Sequence, residues 1–221
     1  MEQQNQQQQM QINQGNEGMQ HMNHGGHEVF DMHEVLSGMI GTLEQYMMFR
    51  QHVQDSELLD ILNRQHQFIL SQYNITTECF RTGQKPSQET ATYMMKEDRQ
   101  FVYGLKNPQP KKPKQSPQQI DDACISSFML SLIKSSSSAL AMAAPEVTNP
   151  VCRRVLADQI PHYIEMAYEI FLYQNKHGYY QVPQLSPQDM QKMLTAFAPA
   201  QGQTQMQMPP NNGAGQQRPI H

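Results

Sequence analysis

Apolar side chains recur along this chain with the period of an α-helix, in four long blocks and one short one. Over 28–54 they fall at Met32, Val35, Leu36, Met39, Ile40, Leu43, Tyr46 and Met47. That is the i, i+3, i+4, i+7 rhythm of one buried helix face. Asp55 and Ser56 read as the start of a second helix. Its stripe runs through Leu58, Leu59, Leu62, His66, Ile69, Tyr73, Thr76 and Phe80, and Gly83 closes it as a C-cap. A third helix is predicted to begin near Pro117, a residue suited to a first turn. It carries Ile125, Phe128, Met129, Leu132, Leu140 and Ala143, and Pro145 ends it. The run from Ser135 to Ala144 gives this helix a face of small residues that permits close approach; the competing reading is a flexible serine linker. Asn149 caps the fourth helix and Pro150 enters its first turn. Val155, Leu156, Ile160, Tyr163, Met166, Ala167, Ile170, Phe171 and Tyr173 form its stripe, up to Gly178. Ser186 and Pro187 open a short last helix with Met190, Met193, Leu194 and Phe197.

Positions 84–117 interrupt this rhythm. Ser87 is expected to cap a short helix holding Met94, Met95, Phe101, Val102 and Leu105. The following run, 107–117, contains four prolines and must be extended. Two helical hairpins joined by one long crossover result. The main helices, at about 25 residues each, span roughly 40 Å, and short loops make each hairpin antiparallel. The predicted fold is all-α: a ferritin-like four-helix bundle of two antiparallel hairpins with a long crossover, plus a short C-terminal helix and disordered tails. The expected division is a Gln/His/Met-rich tail at 1–26, a helical domain at 27–182 with its crossover at 83–117, the short helix at 183–199 and a second tail at 200–221. Nine of the first twenty residues are Gln, too little apolar surface to offset the entropy of ordering. Such tracts also favour self-association through amide ladders. The hairpins resemble each other: Asp55 to Leu62 aligns with Asn149 to Leu156, and His66 and His162 follow at nearly the same distance.

Composition narrows the function. The net charge is −4 and only 16% of residues are charged, so no concentrated basic face points to nucleic acid. Lys111, Lys112 and Lys114 sit among prolines and read as a solvated linker rather than a phosphate patch. The first ten residues hold no apolar h-region, so no secretory signal is expected and synthesis is placed in the cytoplasm. No apolar run approaches the ~18–20 residues of a membrane span. Cys79, Cys124 and Cys152 are odd in number and contain no CxxC, which indicates neither a disulfide framework nor a zinc site; each reads as a buried thiol. Seventeen Met, nine Tyr and no Trp make an adaptable core, because Met fills irregular gaps.

A ferritin-like di-metal site needs one Glu from each of two helices and Glu-x-x-His from each of the others. Here the second helix offers Asn63 and His66, and the fourth offers Gln159 and His162. Both acids are amides, which cannot balance a metal's charge. Glu34 could face inward from the first helix, and no acid lies between Asp122 and Glu146 on the third. Asn63, His66, Gln159, His162 and Glu34 are therefore degenerate ligand positions. No metal, cofactor or catalytic residue is expected. His66 and His162 read as core histidines hydrogen-bonded to Asn63, Gln159 or tyrosine hydroxyls. Pro161 is expected to kink the fourth helix and displace His162. No GxSxG, P-loop or HExxH occurs. His21, His24, His27 and His33, with Met19, Met22 and Met32, form a tract that reads as low-complexity sequence, with binding of soft or borderline metals as the alternative.

The duplicated hairpins, the Asn149-Pro150 start with Arg153, Arg154 and Leu156, His162, and the ending Tyr173 through Lys176, His177, Gly178, Tyr179 and Tyr180 resemble the spore coat protein F family of endospore-forming bacteria. The resemblance covers about 28–182. It implies a ferritin-like bundle deposited in the spore coat as a non-catalytic scaffold or packing protein. Its partners would be other spore coat proteins, with self-association, no nucleic acid and no membrane span. The amides at Asn63 and Gln159 and the proline at 161 depart from the metal pattern and leave the structural role untouched. Gln and Lys side chains in the tails and crossover, and exposed Tyr179 and Tyr180, would suit covalent cross-linking. The rival classes are a metal-binding ferritin-like oxidase or store, and a soluble adaptor using a Met-rich surface.

Overall fold

The computed structural model describes residues 24–96, 100–106 and 110–199. Residues 1–23 and 200–221 of the expected tails lie outside these described residues. Four long helices form the body: α1 (Gly26–Arg50), α2 (Ser56–Thr82), α3 (Asp122–Ala143) and α4 (Pro150–Lys176). A short α5 (Pro187–Leu194) belongs to a separate unit that begins at Gln184, and Ser186 accepts from Asp189 N–H as its cap.

The helix ends follow from local chemistry. Asp55 accepts Glu57 N–H and Asn149 accepts Val151 and Cys152 N–H, each satisfying donors with no intrahelical partner. Gly83, at φ 64°, ends α2 in the left-handed region and returns its N–H to Cys79 O. The third helix starts later than expected. Pro117–Gln119 is only a 3-10 turn, and Asp121 caps α3 by accepting Cys124 N–H. An aspartate side chain next to an open turn outcompetes the proline as a start signal.

Each helix packs on two neighbours, in the cyclic order α1, α2, α4, α3. The loop of the first hairpin meets the start of α3, since Gln54 and Asp55 donate N–H to Asp122. The loop of the second meets the start of α1, since Thr148 and Asn149 donate to Glu28. So α2 and α3 run parallel, and the long connection joins them across the bundle as in ferritin-like folds. A pseudo-two-fold relation is visible: Thr42 and Ser136, 94 positions apart, touch each other. The same spacing relates Glu28 to Asp122, Asp55 to Asn149 and Gln65 to Gln159.

The core holds Met32, Met39, Leu58, Leu62, Ile69, Ile125, Met129, Ile133, Leu156, Met166 and Ile170, all nearly inaccessible. Each such side chain contributes about 1.5–3 kcal/mol when fully buried. Methionine is divided: Met47, Met48, Met94, Met142 and Met193 are exposed. α3 is the one described helix long and apolar enough to cross a membrane by length and composition, although Ser126, Ser127, Ser131, Lys134 and Ser135 to Ser138 leave it no unbroken apolar run of that length. One face of it carries Ile125, Met129, Ile133 and Leu140 into the bundle core.

The crossover differs from the expectation. No helix forms in the described crossover residues 84–96 and 100–106. Ser87 donates to Glu78 instead of capping. Lys96 N–H goes to Glu169, Gly104 N–H to Val182 O, and Asn175 pairs with both N–H and C=O of Val102. Backbone groups that a helix would use are spent on α4 and the segment after it. α4 also runs uninterrupted through Pro161. Pro161 lies on the exposed face, where water can take the carbonyl left without its donor.

Candidate functional site

The middle of the bundle is where a ferritin-like fold would hold two metals. Amides and phenols make up most of the inward layer there. Tyr46 OH donates to Gln65 Oε1 at 2.8 Å, and Gln65 Nε2 donates to Met166 O at 3.0 Å. Gln159 Nε2 donates to Thr76 Oγ1, whose hydroxyl donates to Gln72 O. Both Gln72 amide atoms, Gln159 Oε1 and the Tyr163 hydroxyl are buried without a partner among the described residues. Burial pushes the Tyr163 and Tyr46 phenols up, so both stay protonated. Amides and phenols do not supply the carboxylate cage that two hard cations need.

The five degenerate positions do not converge. Gln159 alone is fully buried; Asn63, His66 and His162 are half-buried and Glu34 is exposed. The inward face of α2 is turned one position from the stripe read in the sequence: Gln65, Gln72 and Cys79 face the core where His66, Tyr73 and Phe80 were expected. A glutamine whose amide is bridged on both sides can occupy a core position, which no hydrophobicity pattern registers. His66 carries no bond to Asn63, and burial with the nearby Arg50 charge lowers its pKa. His162 is not displaced by a helix break. It packs edge-on to Phe68 and accepts Tyr93 N–H at Nδ1, 3.4 Å away.

Two ionised clusters were missed. On the crossover side, the fully buried Glu169 accepts from Arg64 (2.7 and 3.3 Å), from the Tyr93 hydroxyl and from Lys96 N–H. Arg64 also reaches Asp60, which Lys96 Nζ holds too. Burial and the Glu169 carboxylate together push the Tyr93 phenol up. This network fixes the crossover on α2 and α4.

The second cluster lies where α1 begins, α2 ends and α4 begins. Glu28, with no accessible surface, accepts from Thr148 N–H and hydroxyl and from Asn149 N–H. Its other oxygen is 2.7 Å from His24 Nδ1, while His24 Nε2 is 2.8 Å from Phe80 O. Burial opposes both charges, but the hydrogen bonds prevail. Glu28 is held below the usual carboxylate range and His24 above the usual imidazole range. Beside them, Cys79 Sγ and Cys152 Sγ lie 2.7 Å apart, both fully buried. Their shared hydrogen bond lowers the Cys79 thiol and raises that of Cys152. His24, Glu28 and Cys152 donor atoms all fall within 4.8 Å of one another. A separation of 73 residues between the cysteines left no local spacing to read. Of the N-terminal His/Met tract, His27 and His33 are exposed and Met32 is core; Met19, His21 and Met22 lie outside the described residues.

The comparisons bear on what this bundle is. The Coat F domain family matches residues 121–183, which span α3, α4 and the segment after them. The spore coat protein F-like protein YhcQ of Bacillus subtilis (strain 168) is 63% identical over 194 residues, covering 88% of each chain. The chain belongs to the spore coat protein F family. The crystal structure of a candidate spore coat protein from Bacillus halodurans C-125 has the same fold, with a TM-score of 0.53 at 15% identity over 74% of this chain and 95% of that one. Within the family fold, the second hairpin carries the domain match, and the first is joined to it by the Glu28 and Asp122 contacts.

Proposed function

We propose that this spore coat protein is a non-catalytic scaffold and packing component of the coat, assembling with other coat proteins and with itself. The observation that carries the reading is the bundle's middle: Gln65, Gln72, Gln159, Tyr46 and Tyr163 stand where a metal oxidase or iron store would need acids. A middle layer of amides and phenols stabilises a shape, and the buried charge of Glu169 is spent on Arg64 and the crossover backbone. Function then lies on the outside. Phe30, Met48, Met142 and Phe197 are more than half exposed, and thioether surfaces adapt to varied partners. Lys111, Lys112 and Gln115 of the crossover are exposed and suit Gln–Lys cross-linking. Tyr180 is accessible for oxidative coupling, whereas Tyr179 is half-buried against Tyr173 and His177.

The deciding experiment is fractionation of dormant spores with antibody detection of the chain, alongside a time course of its synthesis. The scaffold reading expects the protein only in sporulating cells and in the coat fraction, at abundance comparable to other coat proteins. Detection mainly in vegetative cytoplasm would remove it in favour of a soluble adaptor.

A further inference from the structure

We propose that His24, Glu28, Cys79 and Cys152 form a structural binding site for a borderline-soft divalent cation, zinc above all, which fastens the chain before α1 to the end of α2 and the start of α4.

The Phe80 carbonyl can only accept, so His24 Nε2, 2.8 Å away, carries the hydrogen. In a neutral ring, Nδ1 is then a lone pair. It faces Glu28 Oε1 at 2.7 Å. At 2.7 Å the two atoms share one proton in the metal-free protein; on a tetrahedral zinc, with Zn–N and Zn–O of about 2.0 Å, they would stand roughly 3.3 Å apart, so a small ring rotation must accompany replacement of that proton by the ion. The outer partners are those of a ligating set. A metal-bound imidazole gives its other N–H to a backbone carbonyl, and a metal-bound carboxylate is itself hydrogen-bonded. Here Glu28 Oε2 is occupied by Thr148 and Asn149 while Oε1 points at His24.

The sulfurs complete the set. Cys152 Sγ lies within 4.8 Å of both the His24 and Glu28 donor atoms, and Cys79 Sγ is 2.7 Å from it. Two thiolates on one tetrahedral zinc stand roughly 3.8 Å apart, given Zn–S of about 2.3 Å. The sulfurs must therefore part by about an ångström, which a side-chain rotation supplies. Two thiolates, one imidazole and one carboxylate suit zinc better than magnesium or calcium. Binding releases three protons: one from each thiol and the one shared by His24 and Glu28. The two thiolates and the carboxylate leave one excess negative charge, which the first-turn N–H groups of α4 beside Cys152 oppose. The site lies away from the bundle's middle and does not rest on the scaffold reading.

The test uses the full chain, purified under reductant without oxygen and stripped with a chelator. Zinc is titrated against a chromophoric chelator, and cobalt(II) is added separately. The expected result is one ion per chain, a tetrahedral cobalt spectrum with a thiolate charge-transfer band, and a melting temperature raised by zinc. Cys152→Ser should lose the band and weaken binding by about 100-fold or more, and Thr148→Val by about 10-fold, the range for an outer-shell partner. His27→Ala and His33→Ala, both exposed, should change nothing. An octahedral cobalt spectrum, binding unaltered by Cys152→Ser, or a protein mass two hydrogens short after reductant (thiols spent as a disulfide) would each overturn the site. If Cys152→Ser does not fold, the wild-type cobalt spectrum decides.

Discussion

At one end of the bundle Glu28 of α1 receives the loop of the second hairpin; at the other, Asp122 of α3 receives the loop of the first. The two acids occupy equivalent positions of the repeated hairpin and do the same backbone work. Their surroundings differ. Glu28 is sealed from water with His24 and two cysteines around it. Asp122 is half-buried, and its neighbour Asp55 keeps about a quarter of its side-chain surface while meeting the Tyr173 hydroxyl and the His177 ring. A duplicated sequence device has become a dry clamp at one pole and a wet one at the other. The physical consequence is that the two backbone N–H bonds each acid receives from its facing loop should carry unequal energy, since a buried charge stripped of partners cannot fall back on water.

The strongest way to break this contrast is to truncate each acid. Glu28→Ala should cost about 3 kcal/mol in urea unfolding, because it orphans the Thr148 and Asn149 donors and the His24 cation together. Asp122→Ala should cost about 1 kcal/mol, because water reaches the released N–H groups. Equal losses would dissolve the distinction between the poles.

Between the poles, Gln72 keeps both amide atoms buried and unpartnered. Gln72→Met removes that burden at similar volume and should stabilise the protein by about 1 kcal/mol in the same assay. A loss there would mean that the middle layer depends on amide contacts.

The smallest effect is a pH dependence confined to the dry pole. The His24 pKa is raised above 6.5 and that of Glu28 is lowered below 4.5. In metal-free protein the His24 contribution is fully present below 6.5 and fades as the pH rises through its folded pKa. The Glu28 contribution is present above 4.5 and fades as the pH falls through its folded pKa. Thermal unfolding should thus show a plateau between these ordinary values. His24→Gln should flatten the alkaline limb, and no matching change should follow Asp122→Asn.

Much of the fold could be read from residue order because it depends on local rules. Asp55, Gly83, Asn149 and Pro150 mark helix ends by their own backbone chemistry, and helical periodicity marks the four stripes. The stripe on α2 went astray by one position at His66, Tyr73 and Phe80, since Gln65 and Gln72 are polar yet core-facing. The crossover helix was misjudged for a related reason: Glu169 and Asn175, far along the chain, take the backbone donors of Lys96 and Val102. Of the candidate ligands, Gln159 faces inward while Asn63, His66, His162 and Glu34 do not gather.

Sequence alone determined that this protein is two repeated helical hairpins with a long connection, because periodicity and capping act within a few residues. Of the two amides it singled out at ligand positions, Gln159 lies in the core and Asn63 is half-buried. Only the tertiary structure decided which polar groups became buried partners. Cys79 meets Cys152, His24 meets Phe80, and Arg64 meets Glu169 only after four helices close, and no local energy term in an unfolded chain distinguishes those pairs from any others.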